Sequence, residues 1–337
     1  MSPFSPKTDE VSAIPADALP SVLNTLRGKA VFLTPREGNH GDTLIEMGTC
    51  RALSEAGVDR AGRVEMADAI LICGSGGATV ELWQRNFSDI RWYAQQFKEK
   101  PLIALPSSYY FERGDFARCF AGRQASTGLF AREPYSLALL QKQSFPVPVR
   151  LGLEQDMAFC LADSDFIQNL RLRSAEKHVL VVERFDAESA TAEPTPPRRL
   201  YIGNPRVRSA FLRYIERTTP ARLAKWRRSL AGRKQRRLSE RSGFAARAVE
   251  RLYSTYPEYR NLPVVAEDVA LPYAFLFEEF LQLIRDAAVI ISTRLHVGIL
   301  GALLGKRTVL QSGDARYSKI RGVYELSLTR YPHVSLW

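Results

Sequence analysis

The stretch Val289-Ile290-Ile291-Ser292-Thr293-Arg294-Leu295-His296-Val297-Gly298-Ile299-Leu300-Gly301-Ala302-Leu303-Leu304-Gly305 decides the architecture. Its opening VIIS is β-branched and apolar without alternation, the pattern of a strand covered on both faces. From Leu295 to Leu304 the run has helical length and is apolar almost throughout, and Gly305 stands where a helix would stop. Thr308–Gln311 (TVLQ) then reads as another strand. A buried strand, a helix and a second buried strand in so short a span form a unit of parallel sheet, because parallel neighbours need a crossover between them.

The same grammar runs outward through the chain. Ala30–Leu33 (AVFL), Ala69–Cys73 (AILIC), Leu102–Leu105 (LIAL), Pro146–Leu151, Val179–Val182 (VLVV) and Leu262–Ala266 read as strands or extended segments. Helical patterns lie at about Thr43–Ala56, in the TVELW run after Gly77, and around Tyr135–Gln141. The expectation is an α/β protein of two doubly wound units joined near residues 162–176, with no internal repeat. Residues 1–24, rich in Pro and Ser, read as a loosely ordered arm, 25–172 as the first unit and 173–337 as the second.

The chain has 337 residues, 45% of them hydrophobic and 25% charged, which is ordinary for a globular protein and excludes collagen-like and low-complexity classes. Its net charge of +11 is unevenly placed: residues 198–251 alone carry +14, leaving −3 for the remainder. Leu212, Ile215, Leu223, Trp226 and Leu230 lie among those arginines, a composition compatible with amphipathic helices on an anionic membrane. A solvated helical face is the plainer alternative. No nucleic-acid module accompanies the stretch, so nucleic acid is not expected as a partner. Cys50, Cys73, Cys119 and Cys160 form no C-x-x-C pair and read as structural rather than disulfide-bonded or zinc-binding. The N-terminus shows no secretory pattern and no apolar segment reaches the ~20 residues of a membrane span, so the expected location is the cytoplasm, either free in it or at the inner face of its membrane.

Three constellations carry chemical potential. Gly38-Asn39-His40-Gly41-Asp42-Thr43 precedes a helix, where glycine lets backbone N–H groups approach an anion, although Asp42 and Thr43 could equally cap the helix. Cys73-Gly74-Ser75-Gly76-Gly77 follows a strand in the position of a phosphate-cradling turn, but it is not G-x-G-x-x-G and lacks the P-loop lysine. Thr293-Arg294-Leu295-His296 is the sharpest, with a planar fork for carboxylate or phosphate beside an imidazole that titrates near neutrality. Ser107-Ser108, Arg132-Glu133, Asp156, Glu183-Arg184, Lys319 and Arg321 join as weaker candidates through their placement near strand ends. Trp83 and Tyr109–Phe111 could stack on a sugar, with core packing the commoner role, while His178 and His333 read as structural.

The ordered set N-x-G-D (39–42), G-S-G-G (74–77), A-L-P-S (104–107), A-R-E-P-x-S (131–136), Q-D-M-A-F (155–159), T-R-L-H (293–296) and S-K-x-R (318–321) resembles the polysaccharide pyruvyl transferase family. The resemblance spans about residues 36–325. It implies two Rossmann-like domains facing a cleft, similar to GT-B glycosyltransferases, with the acceptor on the first domain and phosphoenolpyruvate on the second. The implied reaction moves the pyruvate unit of phosphoenolpyruvate onto sugar hydroxyls as a ketal in exopolysaccharide synthesis, with a sugar acceptor that is either free or a lipid-linked oligosaccharide. Arg294, Arg184 and Lys319 would hold the donor's anions, His296 would act as general acid, and Asp42 as base or sugar-orienting carboxylate. Asn39, Gly41, Gly74, Gly76, Gly77, Ser107, Arg132 and Asp156 match the remaining motifs as substrate-binding positions. No cofactor and no metal are expected. Two other functions compete: a nucleotide-sugar glycosyltransferase of similar fold, and a non-catalytic basic protein that binds membrane or polymer.

Overall fold

The computed structural model describes residues 19–35, 38–76, 78–79, 84–111, 116–185, 242–272, 274–312 and 319–337. The first unit carries strands β1 (Ala30–Leu33), β2 (Asp59–Arg60), β3 (Ala69–Ile72), β4 (Ala78–Thr79), β5 (Leu102–Ser107), β6 (Tyr109–Tyr110), β7 (Thr127–Ala131) and β8 (Arg150–Leu153). Its helices are α1 (Leu19–Asn24), α2 (His40–Glu55), α3 (Gln84–Gln96) and α4 (Pro134–Gln141), and α5 (Asp165–Leu172) follows, its Ile167 buried in the core shared with the second sheet. Six strands pair in parallel in the order β2-β1-β3-β5-β7-β8. The second unit has β9 (His178–Val182), α6 (Phe244–Thr255), β10 (Val264–Ala266), α7 (Phe277–Arg285), β11 (Ala287–Ser292), α8 (Leu295–Leu303), β12 (Arg307–Leu310), α9 (Lys319–Val323) and β13 (Val334–Leu336). Its five strands are also all parallel, ordered β10-β9-β11-β12-β13. Two doubly wound, Rossmann-like units follow, as the apolar runs require.

Burial explains why these segments pair in the interior. Every residue of β3, β5, β7, β9 and β11 is buried, which suits runs without polar alternation. Every residue of α8 except His296 is buried too, so this helix is enclosed on all sides rather than lying on a surface. Its Leu295, Val297 and Ile299 share one apolar core with Leu44 of α2 and with Ala158, Phe159 and Leu161 of a 3₁₀ turn over Met157–Leu161. The opening stretch therefore supplies both the centre of the second sheet and the seam between the units.

Each sheet reverses its winding once, between β1 and β3 and between β9 and β11. At such a point the crossovers diverge to either side, leaving a crevice at the carboxyl ends of the strands. Thr34, Cys73 and Gly74 edge the first crevice, and Glu183, Arg184, Thr293 and Arg294 the second.

Several segments differ from the reading of the sequence. Of the TVELW run, Thr79 belongs to a short strand, Ala78–Thr79, paired with Tyr109–Tyr110, while 80–83, Trp83 included, lie outside the described residues; a helix is described over Gln84–Gln96. Thr127–Ala131 and Val334–Leu336 are strands although neither is a continuous β-branched run. At the end of the proposed arm, Leu19–Asn24 is helical because Leu19, Val22 and Leu23 bury themselves, while residues 1–18 lie outside the described residues. Of the basic stretch, 198–241 lies outside them too, and the rest enters α6, whose Phe244, Ala248 and Leu252 face the core. Cys73 and Cys119 are buried, Cys50 and Cys160 half-buried, and all four are free thiols. Among the described residues no helix is long and apolar enough to cross a membrane.

Candidate active site

The first turn of α2 is built by local hydrogen bonding. Asn39 is the N-cap: its Oδ1 accepts from the Gly41 N–H at 2.8 Å, and Asp42 Oδ2 accepts from the Asn39 N–H at 2.9 Å. Asp42, read from the sequence as a cap or as a base or sugar-orienting carboxylate, thus uses one carboxylate oxygen to hold the cap. His40 reaches across to the second unit. Its N–H donates to the Ala270 carbonyl and its Nε2 to the Phe275 carbonyl, both at 2.9 Å, while the ring lies against Phe277 and Phe280. Burial lowers the His40 pKa, which favours the neutral ring, and because a carbonyl can only accept, Nε2 carries a proton.

The glycine turn after β3 is stitched to the end of β5. Ser75 N–H donates to Ser107 Oγ at 3.0 Å, Ser108 N–H donates to the Ser75 carbonyl at 2.9 Å, and Ser107 Oγ donates to the Leu105 carbonyl. Gly74 packs against the Pro106 carbonyl, leaving no room for a side chain there. Gly74 and Ser107 thereby serve as framework, and Gly77 lies outside the described residues.

Arg132 stands at the centre, only 1% exposed. Its Nε donates to Ser108 Oγ at 2.9 Å and its Nη1 to Asp156 Oδ2 at 2.6 Å. Asp156 is fully buried and also caps the turn that follows, its Oδ1 accepting from the Ala158 N–H at 2.9 Å. From the second unit His296 brings Nε2 to 3.3 Å from Asp156 Oδ2 and 3.5 Å from Arg132 Nη1. Burial alone would raise the Asp156 pKa, but the charges of His296 and Arg132 and the hydrogen bonds from His296 and Ala158 hold it well below the usual carboxylate range.

Two glycines make this cluster possible. A Cβ on Gly41 would come within 2.6 Å of His296 Cβ and Nδ1, so the imidazole fits against α2 because position 41 has no side chain. A Cβ on Gly76 would lie 2.9 Å from Arg132 Nη2 and 3.3 Å from Lys319 Nζ. Two cations from different units therefore converge over one bare stretch of backbone.

Arg294 behaves otherwise than the sequence suggests. Its fork is turned onto Asp268, with Nε to Oδ1 at 3.0 Å and Nη2 to Oδ2 at 2.5 Å, and Asp268 is 1% exposed. Beside it the Arg184 N–H donates to Thr293 Oγ1 at 2.9 Å, tying the ends of β9 and β11 together. Glu183 accepts from Ser242 Oγ at 2.8 Å, and its pKa is raised by burial and by the charge of Asp268.

The structure brings Arg132, Asp156, His296, Gly41, Gly76 and Lys319 together, and sets Arg294 and Arg184 in the adjoining crevice. Asp268 completes the arrangement without having been singled out in the sequence, and His40 and Ser108, named there only within their motifs, join it. Asp268 follows the β10 run by two residues, so the strand-end rule that raised Asp156 and Arg132 could have found it. Among the described residues no group of three or more His, Cys, Asp or Glu is arranged to hold a metal ion.

Among solved structures, a functionally uncharacterized protein from Klebsiella pneumoniae is similar over 94% of this chain and 95% of its own, with TM-score 0.55 and 17% identity, a likeness of fold. A UDP-GlcNAc 2-epimerase from Methanocaldococcus jannaschii, solved with UDP-GlcNAc and UDP, covers 91% of this chain and 88% of its own at TM-score 0.35 and 12% identity. No curated protein matches the chain significantly. The sequence profile of the polysaccharide pyruvyl transferases matches residues 39–311, from the cap of α2 to the end of the second crevice, and the chain belongs to that family.

Proposed function

We propose that this pyruvyl transferase takes phosphoenolpyruvate as donor and a sugar as acceptor, forming a pyruvate ketal in exopolysaccharide synthesis. The observation that carries this reading is the convergence of Arg132 Nη2 and Lys319 Nζ over Gly76, beside the His296 imidazole. Phosphoenolpyruvate carries a carboxylate and a phosphate monoester, so it needs several cations, and it needs an acid near its methylene carbon. Arg132 and Lys319 hold one anionic group, and Arg184 and the Arg294 crevice face the other. Asp156 and Asp42 are supporting carboxylates in this reading, since each is already engaged by the fold.

His296, paired with Asp156, protonates C3 of the enol and C2 becomes oxocarbenium-like. A first sugar hydroxyl attacks C2 and returns its proton to His296. The C2–O bond to phosphate breaks, the second hydroxyl closes the ketal, and its proton leaves with the phosphate. Two hydroxyl protons thus end on the new methyl group and on hydrogen phosphate. In the same reading the stretch 198–251 is a docking face for the anionic bilayer that carries the acceptor.

The test is incubation of the full chain with phosphoenolpyruvate, or with nucleotide sugars, and a panel of sugars and lipid-linked oligosaccharides, followed by mass spectrometry. Phosphate release coupled to an acceptor gaining the mass of a pyruvate ketal is expected. Consumption of a nucleotide sugar with phosphoenolpyruvate untouched would overturn the reading.

A further inference from the structure

Residues 319–331 of the second unit lie along the first. Near their start Gly322 of α9 rests on the first turn of α4. A Cβ at 322 would come within 2.7 Å of Glu133 Cβ, 2.9 Å of Tyr135 Cδ2 and 3.1 Å of Glu133 Oε2. Interiors are too tightly packed to absorb such overlap, so a side chain at 322 would push the two elements apart. Further along, the Tyr135 hydroxyl donates to Glu325 Oε2 at 3.1 Å. At the far end Arg330 Nη2 donates to Gln155 Oε1 at 2.8 Å, its guanidinium covers the Phe159 ring, and Phe159 stacks on Tyr331. Glu133 follows Arg132 and Gln155 precedes Asp156, so the segment touches the chain neighbours of both members of the buried ion pair.

The two sides of the Gly322 contact are not equally fixed. Glu133 is buried and closes the cap of α4, with Oε2 accepting from the Ser136 N–H at 2.9 Å and Oε1 from the Ser136 hydroxyl. Arg132 beside it is held through Nε by Ser108 and through Nη1 by Asp156. On the other side α9 has only five residues. Lys319 and Gly322, three apart, share one face of it, so a displacement at 322 is passed to the lysine.

We propose that Gly322 is a positioning residue for the donor site: its lack of a side chain lets α9 lie on Glu133, and that seating sets Lys319 Nζ beside Arg132 Nη2 over Gly76. The spacing of the two cations is thus fixed by a bare position in a helix that meets the donor only through its lysine. This rests on the reading of phosphoenolpyruvate as donor. A larger residue at 322 draws Lys319 away from the donor's anionic group and leaves Arg132 in place.

A double-mutant cycle on the full chain tests this, with Gly322→Ala, Lys319→Ala and the pair, read by calorimetric titration with phosphoenolpyruvate and by KM and kcat. Gly322→Ala is expected to weaken phosphoenolpyruvate by about three- to tenfold, because a charge-assisted contact is stretched rather than removed. KM should rise more than kcat falls. In the Lys319→Ala background the same change should add almost nothing. Unchanged binding overturns the proposal, and so does an equal loss in both backgrounds or a loss larger than that of Lys319→Ala. Should Gly322→Ala yield no folded protein, Tyr135→Ala, which removes both the ring against Gly322 and the hydrogen bond to Glu325, takes its place in the cycle with the same pattern expected. Crystal structures of the wild type and the variant, without donor, separate the two levels. Lys319 Nζ displaced from Gly76 with Arg132 unmoved supports positioning by Gly322, whereas an unmoved lysine or a displaced Arg132 refutes it. Wild-type protein that binds no phosphoenolpyruvate overturns the functional reading itself, whatever those structures show.

Discussion

The His296 imidazole of the second unit meets the Asp156 carboxylate of the first, Nε2 to Oδ2 at 3.3 Å, with Arg132 on the same oxygen at 2.6 Å. This imidazole is thus oriented by a residue from the other half of the molecule. His296→Ala should lower turnover by about 10²–10⁴-fold, the usual share of a general acid, while phosphoenolpyruvate still binds to the cations. Phosphate release and equilibrium titration measure the two separately. Near-normal release would remove His296 from its role.

Asp156 should govern acid stability. Its folded pKa is depressed, so its contribution is present in full above the unfolded value of about 4 and is lost as pH falls toward the folded one. Asp156→Asn leaves Arg132 buried without its counter-charge and should cost about 3–5 kcal/mol at neutral pH. Denaturant melts of both proteins across pH should show this gap narrowing below about pH 4.

His40 works in the opposite pH region. Burial lowers its pKa, so the neutral ring contributes stability that is present above about pH 6.5 and lost as pH falls through the folded value. His178, also lowered by burial, adds a slope of the same sign. The melting temperature should fall between pH 7.5 and 5.5, and His40→Gln, which can still donate to the Phe275 carbonyl, should flatten part of that slope.

Gly41→Ala tests the seat of the imidazole. Alanine is intrinsically favoured over glycine inside a helix by about 1 kcal/mol, so propensity alone would stabilise the variant. Contact of the new methyl with His296 at 2.6 Å reverses the sign. The expected result is a lower melting temperature and a loss in kcat larger than the change in KM for phosphoenolpyruvate.

Lys319→Ala removes one of the two cations over Gly76. KM for phosphoenolpyruvate should rise about tenfold or more with kcat less affected, as expected for a charge-assisted contact made to donor and transition state alike. Steady-state kinetics with saturating acceptor provide the check.

The two-unit architecture was legible because parallel strands buried on both faces must be continuous apolar runs, and AILIC, LIAL, VLVV and VIIS are such runs. TGLFA at 127–131 and VSL at 334–336 carry no such signal because a glycine and a serine interrupt them, and only pairing with β5 and with β12 makes them strands. His296, Arg132, Asp156 and Lys319 were found from motifs, yet their relations were not. The Asp268 partner of Arg294 was out of reach of local spacing because it lies 26 residues upstream, and Asp42 kept cap, base and sugar-orienting readings open because a capping box and a functional carboxylate look alike in sequence. Long-range pairing and local capping are decided by which charges end up buried together.

α2 and α8 each begin beside the same imidazole: Gly41 sits in the first turn of one, His296 in the first turn of the other, and the two touch. Each amino end carries the equivalent of about half a positive charge, spread over peptide groups. That part of the local potential belongs to the main chain. It titrates at no pH, survives replacement of every lysine and arginine nearby, and is present before any substrate arrives.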